Sequence, residues 1–135
     1  MKIIQDLWIL KEGLVIFKRV FDEKIQDQLL GGFMSALTSF AQQIDKEGLS
    51  SFTIGDRTWY LKKQDGILFI ANAGEKAKPK KIIGELDQIA SKFRQKYPKE
   101  LVGSWNGDVS FFNSFEDEIE DSIETPLEKL KDSFW

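Results

Sequence analysis

Residues 24–44 read KIQDQLLGGFMSALTSFAQQI, and this stretch decides the fold. Apolar side chains recur in it at intervals of three and four residues, which predicts an α-helix with one face on a hydrophobic core. We expect the helix to begin near Asp22 and Glu23, because acidic side chains suit the positive end of the helix dipole. Gly48 is a candidate C-cap. The predicted core stripe consists of Ile25, Leu29, Phe33, Ala36, Leu37, Phe40 and Ile44.

A pair of glycines, Gly31 and Gly32, lies in the middle of this predicted helix. Each glycine costs a helix about 1 kcal/mol relative to alanine. We expect a close approach of the helix backbone to a sheet to offset that cost. A tolerated kink is the alternative explanation.

Two short apolar runs, 7–10 and 14–17, precede the helix and flank Lys11-Glu12-Gly13. This pattern predicts a β-hairpin with a tight turn. The runs are continuous rather than alternating, which indicates strands that are covered on both faces.

Three further strands are predicted after the helix. Phe52 and Ile54 alternate with polar residues, as on a half-exposed edge strand. On the next strand Trp59 and Leu61 point one way and Tyr60 the other. The run 67–71 is continuous and predicts a central strand. Gly55-Asp56 and Asp65-Gly66 provide the two hairpin turns between these strands.

A second helix is predicted over about 79–97, with Pro79 in its first turn. Tyr97-Pro98 ends it, because a residue before proline avoids the helical conformation. Its apolar stripe is Ile82, Leu86, Ile89, Phe93 and Tyr97, with Ile83 and Ala90 beside it.

Residues 101–110 contain Gly103, Asn106 and Gly107 and are predicted to form a loop. A third helix should start after Asn113 and Ser114, with Ser114 and Asp117 as a capping box. It restarts or kinks at Pro126, where Thr125 and Glu128 form a second capping box. The residues expected on its apolar face are Phe115, Ile119, Ile123, Leu127, Leu130 and Phe134, and Trp135 ends the chain. The aromatic residues Trp105, Phe111, Phe112 and Trp135 are expected to attach this segment to the sheet.

Taken together, the 135 residues predict one α/β (α+β) domain with a five-stranded antiparallel-type sheet. The element order is ββαβββαα. An acidic, helical C-terminal extension over about 113–135 packs on this single domain, 1–135.

The composition excludes several kinds of chemistry. The chain has no cysteine and no histidine, so disulfides, thiolate zinc sites and histidine-based catalysis are impossible. No carboxylate pair or phosphate-binding loop stands out. We therefore expect a protein that is not an enzyme, with no catalytic residue, no cofactor and no metal.

The charge is unevenly distributed along the chain. Residues 1–97 hold 16 basic and 12 acidic residues (+4), whereas 98–135 hold 3 and 10 (−7). The overall net charge of −3 argues against a nucleic-acid partner. No apolar run is long enough to span a bilayer, and an early Asp6 argues against a secretory signal. The sequence predicts a soluble, cytoplasmic protein.

The element order and helix 1 resemble the longin domain, a profilin-like α/β/α sandwich. The pattern Leu29-Leu30-Gly31-Gly32-Phe33-Met34-Ser35-Ala36-Leu37, followed by Ser39-Phe40-Ala41, looks like the first helix of longin-type trafficking proteins and small adaptin subunits. The opening strand with Leu7-Trp8-Ile9 fits as well. The resemblance covers nearly the whole chain. It implies the strand order 2-1-5-4-3, helix 1 on one face of the sheet, and helices 2 and 3 on the other.

Longin domains bind small GTPases, precede SNARE helices, or form subunits of coats and tethers. Since no SNARE heptad helix or anchor follows here, the chain most resembles the free-standing, archaeal-type longin proteins. The related roadblock family opens with a helix, for which residues 1–6 are too few. The resemblance implies a scaffold whose partner is a small GTPase or another longin- or roadblock-type chain, with a homodimer and peripheral membrane association left open.

Two surfaces are candidates for partner binding. The first joins the predicted edge strand, Ser51, Phe52 and Thr53, to the outer face of helix 1, Gln28, Met34, Ser35 and Thr38. Exposed strand edges pair with other chains unless they are guarded, and no proline or lysine guards this one. The second is the lysine cluster at the start of helix 2, Lys76, Lys78, Lys80 and Lys81, where cations oppose the helix dipole and invite an acidic partner.

Each candidate has a plainer explanation. The lysines can form a solvated loop, and the edge strand can simply be capped. The acidic stretch 116–124 reads as a solvated helix face, because acids near a helix start are favourable. An alternative function is a small-molecule sensor of profilin- or PAS-like shape, with the ligand between helix 1 and the sheet.

Overall fold

The computed structural model describes residues 3–20, 26–46, 48–55, 57–73, 77–98, 105 and 107–120. In chain order, its elements are β1 (Ile4–Lys11), β2 (Leu14–Arg19), α1 (Asp27–Ile44), β3 (Ser51–Ile54), β4 (Arg57–Gln64), β5 (Ile67–Ala73), α2 (Pro79–Lys96) and a 3-10 helix, η1 (Val109–Glu118). The helix start predicted near Asp22 and Glu23 lies outside the described residues, as do Ile25 and Asp56.

The five strands form one sheet in the order β2-β1-β5-β4-β3, and every neighbouring pair is antiparallel. The prediction of an α/β domain with a five-stranded antiparallel sheet is confirmed. Two of its hairpins have two-residue turns, Glu12-Gly13 and Asp65-Gly66, in which both residues have positive φ. This is the type I′ turn, whose twist matches that of the strands.

The sheet has a hydrophobic cluster on each face. Leu7 and Ile9 of β1 belong to one cluster, and Trp8 and Leu10 belong to the other. The continuous apolar runs do therefore mark strands that are covered on both faces, as predicted. The first cluster includes buried residues of α2 and η1 and the residue that directly follows η1, namely Ile82, Leu86, Ile89, Phe93, Phe112, Phe115 and Ile119. The second includes Met34 of α1, together with Trp59 and Leu61 of β4.

The core face of α1 is not the predicted one. Gly31 and Met34 are its buried residues, and Leu30 and Leu37 pack against the core cluster. Among the described residues of the predicted stripe, Leu37 alone packs there, whereas Leu29, Phe33, Phe40 and Ile44 are exposed and Ala36 is also on the surface. The helix carries two apolar stripes at helical spacing. The stripe with the smaller residues faces inward because the backbone of the β1–β2 turn lies against it.

That close contact explains one of the two glycines. A Cβ atom added to Gly31 would overlap the carbonyl oxygen of Gly13 in the β1–β2 turn, whereas a Cβ added to Gly32 would meet no atom within 4 Å. The expected approach of the helix backbone to the sheet therefore occurs at Gly31, and at the hairpin turn rather than over the strands. Nothing in the structure explains Gly32.

The second helix follows its prediction closely. Pro79 is in its first turn, and its inward residues Ile82, Leu86, Ile89, Ala90 and Phe93 are buried. Tyr97 is buried beyond its last turn. The placement of Ile83 beside this stripe is wrong, because Ile83 is 47% exposed on the outer side of the helix.

The last described element differs from its prediction in type and start. The 3-10 helix begins at Val109, inside the stretch predicted to be a loop, and its N-cap is Asp108 rather than Ser114. The Asp108 carboxylate accepts hydrogen bonds from the backbone N–H and hydroxyl of Ser110 at 3.0 and 2.8 Å. This local capping starts the helix earlier. The predicted continuation through Ile123 and Pro126 to Trp135 lies outside the described residues.

Aromatic rings hold η1 to α2. The Phe93 ring of α2 lies 5.8 Å from that of Phe112 and 5.3 Å from that of Phe115. Phe115 also meets Phe17 of β2 edge-on at 5.5 Å. Of the four aromatic residues expected to attach this segment, Phe112 is fully buried against α2, and the Trp105 ring lies 5.1 Å from that of Phe112. Phe111 is 41% exposed, and Trp135 lies outside the described residues. A ring contact with the sheet is made by Phe115, which the sequence places on the apolar face of the helix.

Candidate functional site

Four large apolar side chains of α1 form a stripe that no described part of the chain covers. Leu29, Phe33, Phe40 and Ile44 are exposed by 69, 45, 62 and 73%. At 3.6 residues per turn, their directions around the helix axis fall within about 60°. Large apolar residues that share one exposed face of a helix mark an interaction surface rather than ordinary solvent exposure.

The stripe lies on the side of α1 that faces β3. On the opposite side, Gly31 and Ser35 lie against Gly13 of the β1–β2 turn. On the near side, the Phe33 ring meets the Phe52 ring of β3 edge-on, with centroids 6.1 Å apart. Phe52 in turn stacks on Trp59 of β4 at 5.1 Å, which fixes β3 beside the helix.

The strand beside this stripe is one of the two edges of the sheet. Because side chains alternate along a strand, Ile54 shares the α1 face with Phe52, and it is 58% exposed. We call Leu29, Phe33, Phe40, Ile44, Ile54 and the outer edge of Ser51–Ile54 the α1–β3 surface.

The residues of this surface are uncharged, and the half-exposed Arg57 of β4, opposite Ile54, borders it on the same face of the sheet. From Gln28 to Ile44, and again from Gly48 to Gly55, the sequence contains no Asp, Glu, Lys or Arg. Charged residues make up 30% of the whole chain. The two uncharged segments are therefore unusual for this chain, and both contribute to the same surface. Depletion of charge together with exposed aromatic residues is the composition of a protein–protein interface core.

The other edge of the sheet, β2, is protected. A bulge shifts its register with β1 between Ile9 and Leu10. Lys18 pairs with Asp27 of α1 at 3.0 Å, and Arg19 forms an ion pair with Glu116 of η1. Bulges and charged side chains are the means by which proteins prevent edge-to-edge pairing. Strand β3 has neither, because its pairing with β4 is regular and its residues are neutral.

The structure brings some of the predicted partner-binding residues to this surface. Ser51, Phe52 and Thr53 are on the edge strand, with Phe52 partly buried and the Thr53 and Thr58 hydroxyls 2.8 Å apart. Gln28 is exposed on α1.

The other predicted helix residues do not form the outer face. Met34 is fully buried, so its prediction as a contact residue is wrong. Ser35 faces the β1–β2 turn, and the Thr38 hydroxyl donates to the Met34 carbonyl oxygen at 2.7 Å. These residues were expected on the outer face for the same reason that the core face of α1 is predicted wrongly. Met34 and Thr38 belong to the stripe of α1 that faces inward. The exposed residues Leu29, Phe33, Phe40 and Ile44 do stand out in the sequence, but their spacing predicts that they belong to the core.

The lysine cluster is separate from the α1–β3 surface. Lys78, Lys80 and Lys81 are exposed at the start of α2, which packs on the opposite face of the sheet from α1. The first turn of α2 contains no acidic residue, and no ion pair joins these three lysines to another described residue. Lys76 lies outside the described residues.

The acidic stretch has a structural role over the part that is described. Besides the ion pair of Glu116 with Arg19, Glu118 pairs with Lys96 of α2 at 3.6 Å, and Lys92 donates to the Glu118 carbonyl oxygen at 3.1 Å. These contacts attach η1 to β2 and α2. Residues 121–124 lie outside the described residues.

A small cleft lies between α1, the β1–β2 turn and the β4–β5 turn. Its volume is about 270 Å³, and its lining includes Glu12, Ser35, Thr38, Ser39 and Lys63. It is the place where the alternative sensor function would put a ligand. Ligand pockets usually measure about 300–1,000 Å³, so this cleft is smaller than a typical site.

The sequence matches no protein-family model and no curated protein. Within the described ranges, none of the helices has the length and apolar character needed to cross a membrane.

Proposed function

We propose that this protein is a non-catalytic interaction scaffold of longin type, which binds or regulates a small Ras-like GTPase or joins a trafficking- or tethering-type complex. The observation that carries the proposal is the α1–β3 surface, an uncharged apolar stripe beside an unprotected strand edge. Such a surface suits binding of another protein through apolar contacts and strand pairing.

The fold supports the longin type by analogy. The support comes from the strand order β2-β1-β5-β4-β3 and from the contribution of α1 to one core cluster and of α2 and η1 to the other, which are compatible with the arrangement that the resemblance implies. A shared fold does not determine a function, so the GTPase partner rests on the family resemblance and the scaffold role on the surface.

The test is affinity capture of partners from native lysate with the tagged full chain. Parallel captures contain GDP, a GTP analogue or no nucleotide, and mass spectrometry identifies the bound proteins. We expect a small GTPase to be enriched in a nucleotide-dependent way. Recovery of no GTPase in any of the three conditions would refute that part of the proposal.

A matched pair of variants shows whether the α1–β3 surface takes part. Phe40→Gln removes an exposed ring from the stripe, and Ile83→Gln removes an exposed side chain from the outer side of α2. If the α1–β3 surface holds a captured partner, Phe40→Gln lowers its recovery and Ile83→Gln does not.

The cleft beside the β1–β2 turn supports the second candidate, a small-molecule sensor, only weakly, because it is small and the core beneath α1 is filled by the buried Met34. Native mass spectrometry of the purified chain tests it. A constant added mass that is lost on denaturation would favour the sensor over the scaffold.

A further inference from the structure

We propose that the start of α2 is a contact surface for a membrane that contains anionic lipid. The surface consists of the exposed lysines Lys78, Lys80 and Lys81 together with the exposed side chain of Ile83, and we call it the α2 basic end. This inference goes beyond the proposed function and does not rest on it, because its occupant is a lipid bilayer and not a protein.

The four residues lie together at one end of α2. Lys78 is the N-cap of the helix, and Lys80 and Lys81 are in its first turn. Because the Cα–Cβ bonds of a helix tilt towards its N-terminus, Lys80, Lys81 and Ile83 lean towards the end at which Lys78 lies. Ile83 follows Lys80 by three residues, so these two side chains are neighbours on the helix surface.

The lysines of the α2 basic end differ from the other basic residues of the helix in having no counter-charge. In the second half of α2, Lys92 donates to the Glu118 carbonyl oxygen at 3.1 Å, and Lys96 pairs with the Glu118 carboxylate at 3.6 Å. Arg94 pairs with Asp65 of the β4–β5 turn. Among the described residues, no ion pair involves the three lysines at the start of the helix.

The acidic residues of α2 do not neutralise the basic end. Asp87 pairs with Lys62 of β4 at 3.0 Å. Glu85 is one turn after Lys81, and no ion pair joins these two side chains. Residues 74–81 hold four lysines and one glutamate, so the local charge is +3.

The acidic residues of η1 are too far away to neutralise it. They are attached at Lys96, and sixteen residues of helix from Lys80 to Lys96 rise about 24 Å. This distance is about three Debye lengths at physiological ionic strength. The start of α2 therefore presents an uncompensated positive charge that attracts an anionic surface.

The kind of cation favours a lipid surface over an acidic protein. All the cations of the α2 basic end are lysines, and residues 58–93 contain no arginine. Protein interfaces are enriched in arginine and depleted of lysine, because the planar guanidinium binds a carboxylate with two hydrogen bonds. Lysine is a point charge on a flexible stem, and clusters of it near a membrane are attracted by the negative potential of anionic lipid.

Ile83 provides the apolar part of the contact. It is 47% exposed, whereas its exposed neighbours Gly84, Gln88 and Ser91 are small or polar. One apolar side chain gives a protein partner no interface core. In a bilayer it can enter the boundary between head groups and acyl chains, while the lysine ammonium groups stay in water. Because one such signal alone gives only marginal membrane binding, charge and apolar side chain act together.

The first experiment is flotation of the full chain with lipid vesicles in a density gradient. Vesicles of neutral phosphatidylcholine are compared with vesicles in which about one third of the lipid is phosphatidylserine. We expect the chain to float with the anionic vesicles and not with the neutral ones. Raising the salt from about 0.1 to about 0.5 M should release it, because salt screens the attraction.

A matched pair of variants assigns the binding to the α2 basic end. Lys80→Gln with Lys81→Gln removes two charges there, and Lys46→Gln with Lys63→Gln removes two from exposed positions outside α2. Each lysine near an anionic membrane contributes about five-fold, so the first double variant should lower the partition coefficient about twenty-fold. The second should change it less than about two-fold. Ile83→Gln should lower it about three- to five-fold. Circular dichroism shows that each variant is folded.

The second experiment uses the absence of cysteine to place a single polarity-sensitive dye. Ile83→Cys carries the dye at the α2 basic end, and Gln95→Cys carries it at an exposed position near the other end of the same helix. Anionic vesicles should shift the emission to shorter wavelength for the dye at position 83 and leave it unchanged at position 95. No shift at position 83 would overturn the proposal.

The remaining outcomes separate a membrane from a protein. Absence of flotation with anionic vesicles, or flotation that neutral vesicles match or that Lys80→Gln with Lys81→Gln leaves unchanged, would overturn the proposal. If that double variant instead lowers the capture of a protein from lysate, and the chain floats with no vesicle, the α2 basic end binds an acidic protein and the membrane proposal is wrong.

The proposed function is tested independently, because the vesicles contain no protein. A chain that floats with anionic vesicles but captures no GTPase would refute the GTPase partner and leave this inference in place. A chain that captures a GTPase but does not float would do the reverse.

Discussion

Gly31 of α1 faces the carbonyl oxygen of Gly13 across a gap too small for a Cβ atom. This contact fixes which side of the helix points at the β1–β2 turn, and with it which side remains exposed. Gly31→Ala should therefore destabilise the protein by about 1–3 kcal/mol, because the added methyl group forces the turn and the helix apart. Urea unfolding followed by circular dichroism measures the change.

Gly32 is the control for this prediction, since a Cβ atom there meets nothing within 4 Å. Gly32→Ala should stabilise the protein by about 0.5–1 kcal/mol, because alanine is the better helix former. Equal effects of the two substitutions would contradict the packing of α1 described above.

The exposed stripe and the buried face of α1 should differ sharply in their sensitivity to substitution. Met34→Ala removes a fully buried side chain and should cost about 2–5 kcal/mol of unfolding free energy. Phe40→Gln changes an exposed residue and should change the unfolding free energy of the monomer by no more than about 0.5 kcal/mol. Urea unfolding at a protein concentration at which the chain is monomeric measures both changes. The reverse result would mean that the stripe predicted from the sequence, which contains Phe40, faces the core.

The aromatic contacts of η1 provide a second matched pair. Phe112 is fully buried against Phe93, whereas its neighbour Phe111 is 41% exposed. Phe112→Ala should cost about 3–5 kcal/mol and lower the thermal midpoint, because it leaves a cavity in the first core cluster. Phe111→Ala should cost clearly less, and thermal unfolding followed by near-ultraviolet circular dichroism compares the two.

The N-cap of η1 gives a prediction about pH. The Ser110 hydroxyl, and to a smaller extent its backbone N–H, donate to Asp108 and hold the pKa of its carboxyl below the ordinary 3.8. A carboxyl whose pKa is lowered on folding contributes stability above its unfolded pKa, and this contribution is lost as the pH falls through the folded value. Ser110→Ala should raise the pKa of Asp108 towards 3.8 in a carboxyl titration followed by NMR. An unchanged pKa would show that the hydroxyl does not cap this helix.

Much of the fold could be predicted from the sequence because its signals are local. Asp65-Gly66 specifies a type I′ turn, and Pro79 and Tyr97-Pro98 mark the ends of α2. Which face of α1 points to the core is not determined by local sequence. Leu29, Phe33 and Phe40 have the spacing of a core stripe, and only the position of Gly13, in a hairpin turn distant in sequence, decides that they face outward.

The candidate site could be predicted in part for the same reason. The sequence predicts an edge strand at 50–54 because alternation and neutral side chains are visible there, and the observed strand is Ser51–Ile54. Met34 was misassigned to the surface because the helix was rotated in the prediction. The 3-10 helix was placed too late because the capping bond between Asp108 and Ser110 competes with the apparent capping box at Ser114.

The two edges of the sheet also determine how far assembly can proceed. A sheet that is adhesive at both ends can add copies without limit and grow into a fibre. Here the bulge and ion pairs along β2 close one end, and β3 is the open end. A partner strand that paired with β3 would therefore meet a closed edge at β2, and addition of strands along this sheet would stop after that one partner.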